Sequence, residues 1–165
     1  MPNGELERSD KIRTLLEFYK DNVTYQRHHE EIRFKSSQLI VSLAAALIAL
    51  LKFTNGSVSN YASSLFVVLL GCLGIAQVLK HTERADRHAK IARAYRAAIS
   101  QMSDDGSGRS VEKIHDGAAA SHKKAAGPIY YLRARWFWLC MHFAIIAIGL
   151  GIAVLQYYEK SLLSG

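Results

Sequence analysis

The fold is decided by an uncharged stretch of 23 residues, Trp136 to Tyr158, which reads WFWLCMHFAIIAIGLGIAVLQYY. A helix that crosses a bilayer needs about 20 predominantly apolar residues, so this stretch is long enough by itself. It is apolar on all sides, whereas a helix on the surface of a soluble protein carries charge on one face. A soluble bundle of very apolar helices is therefore disfavoured, and the stretch predicts a transmembrane helix at 136–158.

Two further uncharged stretches lie nearer the N-terminus. The first, SSQLIVSLAAALIALL from Ser36 to Leu51, predicts a span at 36–53 if the stem of Lys52 lies along the helix and its amine reaches the headgroups. The second, YASSLFVVLLGCLGIAQVL, predicts a span at 61–79 after the turn-forming cluster TNGSVSN. Together the three stretches predict an all-α integral membrane protein with three transmembrane helices.

Composition excludes several classes of protein. With 50% apolar residues and two cysteines, the chain is neither disordered nor a disulfide scaffold. No hydrolase triad, glycine-rich phosphate loop, dinucleotide fingerprint or zinc motif is present in the sequence. The paired histidines are spaced by seven, which does not suit chelation by one helix. We therefore expect neither an enzyme nor a cofactor or metal site.

Lys and Arg are distributed unevenly around the spans. Residues 1–35 carry seven, the 53–62 connection carries none, residues 80–135 carry twelve, and the tail after Tyr158 carries one. The positive-inside rule then predicts a cytoplasmic N-terminus, a cytoplasmic segment at 80–135 and an external C-terminus. The charged region that precedes the first span predicts an uncleaved anchor, not a cleaved signal peptide.

The two charged segments are predicted to be helical. Residues 1–35 form an amphipathic helix that continues into the first span without Gly or Pro, with ion pairs at Glu7–Lys11 and Glu31–Lys35. Residues 80–103 continue the second span. A turn at 103–108, a helix from Ser110 to about Ala126 and a break at Gly127-Pro128 follow. The expected packing stripes are Ile12, Leu15, Leu16, Tyr19, Val23 and Phe34 in the first segment, and Ile91, Ala94, Tyr95, Ala98 and Met102 in the second.

Residues 80–135 hold twelve basic and six acidic side chains and so almost all of the excess charge. One interpretation is contact with anionic lipid headgroups. The other is a phosphate site, because arginine's planar fork suits phosphate. The basic residues without an acid at i±4 that would build such a site are Arg84, Arg93, Arg96, Lys123 and Lys124.

Polar and small residues inside the spans are the remaining candidates. His142 is either a functional intramembrane residue or a hydrogen-bonded packing histidine, and Gln77 and Gln156 are polar groups able to bond across helices. Small residues permit close helix approach. Those at contact spacing are Ala45, Ala49, Gly71, Gly74, Ala147 and Gly151.

The layout resembles a known family. The segment TYQRHHEEIRF precedes a span, two spans form a tight hairpin, and the helix HTERADRHAKIARAYR follows. Over about residues 12–100 this is similar to the SLATT group of bacterial membrane effectors in antiphage defence. The resemblance implies a pore-forming effector of the bacterial inner membrane. Such an effector responds to a nucleotide or oligonucleotide that a nearby-encoded nucleotidyltransferase makes.

The leading hypothesis is therefore a homo-oligomeric channel, a tetramer or larger, that binds a nucleotide ligand and depolarises the membrane. A non-conducting scaffold that docks a soluble partner and a small transporter that uses His142 are the alternatives.

Overall fold

The structure, a computed structural model, describes residues 3–51, 58–103, 116–121 and 134–163. These residues form four helices and no strand: α1 (Asn3–Leu51), α2 (Val58–Ser103), α3 (116–121) and α4 (Ala134–Leu163). The all-α fold is therefore confirmed.

Three of the helices are long and apolar enough to cross a membrane. They are Leu6–Leu51 in α1, Tyr61–Ser103 in α2 and Arg135–Glu159 in α4. Within the chain, only 17%, 33% and 28% of their most apolar windows are buried. Most of the surface of each span thus faces outward, as a lipid environment requires. The chain is a membrane protein, as the uncharged stretches predict.

Helices α1 and α2 both continue through the predicted limits of their spans. Between Glu5 and Leu51 there is no Gly or Pro to end α1, so the charged helix and the first span are one element. The cluster TNGSVSN at 54–60 is predicted to form a turn, but its last three residues belong to the first turn of α2, which begins at Val58. Several predicted features lie outside the described residues: Lys52, the turn at 103–108 beyond Ser103, Ser110, Lys123, Lys124, Gly127 and Pro128.

The chain divides into two compact units. The span unit comprises Glu31–Thr82 and Arg133–Gly165, and the charged unit comprises Met1–Glu30 and Glu83–Leu132.

In the span unit, α1, α2 and α4 pack around a small apolar core. Its buried residues are Ile40, Ala44, Val67, Leu70 and Ile145. α2 runs antiparallel to α4, because Gly71 lies against Ile146 while Gly74 lies against His142. The three spans therefore form one packed bundle whose interior is filled by side chains.

In the charged unit, α1 and α2 pair antiparallel. Phe18 stacks on Tyr95 with ring centroids 5.6 Å apart, and Asn22 Oδ1 lies 3.0 Å from His88 Nδ1. The predicted α1 stripe is largely confirmed, since its members other than Leu16 and Phe34 are half-buried. The α2 stripe needs one correction: Ala94 is exposed, whereas Ala92 and Ser100 are buried, so the buried face is rotated slightly from the predicted one.

Candidate functional site: the buried histidine and the basic helix

His142 occupies the centre of the span unit. It is fully buried, and its Nε2 lies 3.2 Å from the hydroxyl oxygen of Ser37, which is also fully buried. Its Nδ1 is buried without a hydrogen-bond partner among the described residues. We therefore assign the proton to Nε2, which donates to Ser37, because a buried donor left unpaired is rarer than an acceptor. This bond joins α1 to α4, as the packing interpretation of His142 predicts.

The imidazole ring lies directly on Gly74 of α2. A Cβ atom at Gly74 would stand 2.6 Å from the ring carbon Cγ of His142 and closer still to Nδ1. Any larger residue at this position would therefore overlap the ring. The imidazole of His142 on α4 thus contacts both the hydroxyl of Ser37 on α1 and the backbone of Gly74 on α2, so this one side chain joins all three spans.

Two further glycines bring α2 and α4 together. A Cβ at Gly71 would lie 3.0 Å from the backbone oxygen of His142, and one at Gly149 would lie 2.8 Å from Val68 Cγ2. Gly71 and Gly74 therefore lie where their predicted packing role requires. Gly149 was not among the predicted residues, although a signal existed: it follows His142 by seven positions and so shares its helix face.

The other predicted packing residues face away from the rest of the chain. Ala45, Ala49 and Ala147 are exposed, and a Cβ at Gly151 would meet nothing within 4 Å in the described parts of the chain. Within one chain, these four residues make no close helix contact of the kind that Gly71 and Gly74 make.

The intramembrane polar residues do not form one site. Gln77 is half-buried on α2. Gln156 is half-buried, and its Oε1 is buried without a described partner. It follows His142 by fourteen positions, which is about 21 Å along a helix. His142 and Gln156 therefore do not share one polar site in a single chain.

The predicted phosphate residues are dispersed along α2. Arg84 and Arg93 are exposed and nine positions apart, which is two and a half turns, so they point to opposite sides of the helix. Arg93 donates from Nε to the backbone oxygen of Ala89 at 3.2 Å, and Arg96 is half-buried. Arg84 and Arg93 of one chain therefore do not converge on one anion, and Lys123 and Lys124 lie outside the described residues.

The charged unit also contains a stack of aromatic rings, which the charge pattern of the sequence does not predict. The His88 ring stacks on Tyr25 at 5.3 Å and on His29 at 5.6 Å between centroids. Burial lowers the pKa of His29, and the neighbouring His88 and Arg84 lower it further. The signal was the position of Tyr25 and His29 on one face of α1, four residues apart. Across the described ranges, no cluster of potential ligands is arranged to hold a metal ion.

Comparison with known proteins adds no relative. No protein-family model matches the chain, and no curated protein or solved structure matches it.

Proposed function

We propose that the protein is a homo-oligomeric channel, a tetramer or larger, of the bacterial cytoplasmic membrane, and that its pore lies between copies of the chain. The interior of one span unit is occupied by residues such as Ala44, Val67 and His142, all nearly or fully buried. Three packed helices of this kind leave no room for a pore, so conduction requires several copies.

The observation that carries this proposal is the position of the small residues on the outward faces of α1 and α4. A lipid-facing surface accommodates large apolar residues, whereas small residues favour contact with another helix. On α1 the large exposed residues Leu39, Leu43 and Leu50 lie on one side, and the small or polar ones lie on the other. The outward small and polar residues are Gln38, Ser42, Ala45 and Ala49 on α1, and Cys140, Ala144, Ala147 and Gly151 on α4.

Orientation and role form the second part of the proposal. The distribution of Lys and Arg supports a cytoplasmic N-terminus and charged unit. The resemblance to the SLATT group supports an antiphage effector that a nucleotide or oligonucleotide gates. In a ring of copies, Arg84 of one chain and Arg93 of its neighbour can line a common space, which one chain alone does not allow.

Bulky substitutions on the small faces test the oligomer. We expect Ala45→Leu and Ala147→Leu to reduce both the oligomer mass in native mass spectrometry and the current in planar bilayers. Leu43→Phe is the matched control, since it adds volume to the large-residue side of α1 and should change neither measurement. Loss of current with an intact oligomer, or no effect of either small-face variant, would contradict the proposed interface.

Charge reversal tests the ligand. Arg93→Glu together with Arg96→Glu should abolish the response of the current to oligonucleotides while membrane insertion is unchanged. Oligomers that never conduct, with any nucleotide, would favour a scaffold that docks a soluble partner. A flux that depends on pH and on His142 would favour a transporter.

A further inference from the structure

Two arginines of the span unit are partly buried at one end of the bundle. Arg33 on α1 and Arg135 on α4 are both half-buried, and the Nε atom of each is buried without a hydrogen-bond partner in the described ranges. Neither arginine belongs to the set that the charge pattern of the 80–135 segment singles out as a ligand site.

Both side chains stand on interior faces of their helices. Arg33 precedes Ser37 by four positions and Ile40 by seven, and both of those residues are buried. Arg135 precedes His142 by seven positions. Residues four and seven apart lie on one face of a helix. Arg33 and Arg135 therefore lie on the same helix faces as the buried residues of the bundle.

The two arginines are also at the same level. Phe34, next to Arg33, contacts Trp138 edge-to-face with centroids 5.6 Å apart. Arg135 lies one turn before Trp138. The positions therefore bring two positive charges to the same end of the bundle.

The Arg33 guanidinium is held in place by protein, but its charge is not neutralised there. One terminal nitrogen donates to the Thr82 hydroxyl at 3.1 Å, and Thr82 is itself 9% exposed. The guanidinium carbon of Arg135 lies 5.3 Å from the centre of the Trp136 ring. Of the two acids that the structure describes in the span unit, Glu31 pairs with Lys35 at 2.6 Å and Glu159 lies at the far end of α4.

An anion that accepts from the unused donors stabilises such a pair of half-buried cations. Guanidinium matches the oxygens of phosphate by paired N–H donors. The uncharged stretches begin at Ser36 and Trp136, immediately after the two arginines, so these side chains lie at the depth of lipid headgroups. Trp136 and Trp138 suit the same interfacial depth.

We propose that Arg33 and Arg135 together bind one phosphate group at this end of the span bundle, either that of a phospholipid headgroup or that of a soluble phosphate. This site differs from the proposed nucleotide contacts on α2 and does not depend on the channel. It requires only that the three spans pack as described.

Native mass spectrometry of the full chain in dodecyl maltoside, a detergent without phosphate, measures binding. We expect the chain to retain dioleoylphosphatidylglycerol but not dioleoylglycerol, which has the same acyl chains and no phosphate. Arg33→Gln and Arg135→Gln should each weaken binding about tenfold, since each removes charged hydrogen bonds. Lys35→Gln is the matched control, because it removes one positive charge at the same depth from an exposed position and should bind as the unmodified chain does.

Inorganic phosphate distinguishes the two sources. If added phosphate displaces the lipid, the site accepts soluble phosphate; if the lipid stays bound, the headgroup is the ligand. Arg135→Gln leaves the Arg33–Thr82 bond intact, so it tests the site even if Arg33→Gln changes the helix content in circular dichroism. Failure of both the lipid and phosphate to bind, or equal binding by Arg135→Gln and Lys35→Gln, would overturn the proposal.

Discussion

Replacing Gly74 with alanine should destabilise the bundle through the His142 ring. The new Cβ would stand 2.6 Å from Cγ of the imidazole and closer still to Nδ1 and Cε1, whereas ordinary contact begins at 3.4 Å, so the ring or a helix must move by more than roughly 0.8 Å. The ring is held on its other side by Ser37 at 3.2 Å, so a retreat from α2 disturbs that hydrogen bond.

The size of the effect follows from these two contacts. Overpacking costs about 1–3 kcal/mol, and loss of a hydrogen bond between transmembrane helices costs about 0.6–1.7 kcal/mol. Alanine also favours the helix by up to about 1 kcal/mol over glycine. The Gly151→Ala control receives the same helical benefit and meets nothing within 4 Å. We therefore expect Gly74→Ala to be about 2–4 kcal/mol less stable than Gly151→Ala.

Equilibrium unfolding by sodium dodecyl sulfate in mixed micelles, followed by circular dichroism, measures this difference. A double variant with Gly74→Ala and His142→Ala removes the ring that the methyl group meets, so its destabilisation should be smaller than the sum of the two single changes. Two results would refute the packing of the His142 ring on Gly74. One is equal stability of Gly74→Ala and Gly151→Ala, and the other is strict additivity of the two destabilisations in the double variant.

Three further changes test other contacts. Ser37→Ala should lower the free energy of unfolding in the same assay by about 0.6–1.7 kcal/mol, whereas Ser36→Ala, whose hydroxyl bonds its own helix at Arg33, should change it less; a reversed order would be contrary evidence. Arg8→Met removes the guanidinium that donates to the backbone oxygen of Met102 at the end of α2. Amide hydrogen exchange in the last turn of α2 should therefore accelerate, and unchanged exchange would show that this hydrogen bond does not stabilise the turn. Burial lowers the pKa of His29, so the folded state binds a proton less readily than the unfolded state. Stability that is present above about pH 6.5 should therefore decline as the pH falls below it. The temperature of thermal unfolding should differ less between pH 7.5 and 5.5 in His29→Gln than in the unmodified chain.

The sequence predicts the elements better than it predicts their contacts. Uncharged length identifies the three spans, and the absence of Gly or Pro between Glu5 and Leu51 predicts the continuity of α1. The ion pairs at Glu7–Lys11 and Glu31–Lys35, each 2.6 Å, are also confirmed, because i,i+4 spacing on a helix determines them. Such local features depend only on neighbouring residues.

The candidate site depends on which face of a span is inward, and an all-apolar helix does not show this in its sequence. In GLG of α4, Gly149 packs against α2 while Gly151 faces open space, although both glycines look alike in the chain. The residues around Arg33 do not indicate its contact with Thr82, because that partner is 49 residues away in the chain. The ring stack at His88 has the same origin, since Tyr25 and His29 come from another helix.

The contact between His142, Ser37 and Gly74 has a consequence for the order of biosynthesis. The helix that carries the imidazole is the last of the three spans in chain order. When α4 reaches the membrane, its polar ring enters an environment where α1 and α2 already present a hydroxyl and a bare stretch of backbone. Before α4 inserts, the Ser37 hydroxyl and the backbone at Gly74 have no imidazole against them. A newly made chain that has inserted only α1 and α2 therefore differs from the complete bundle at these two residues.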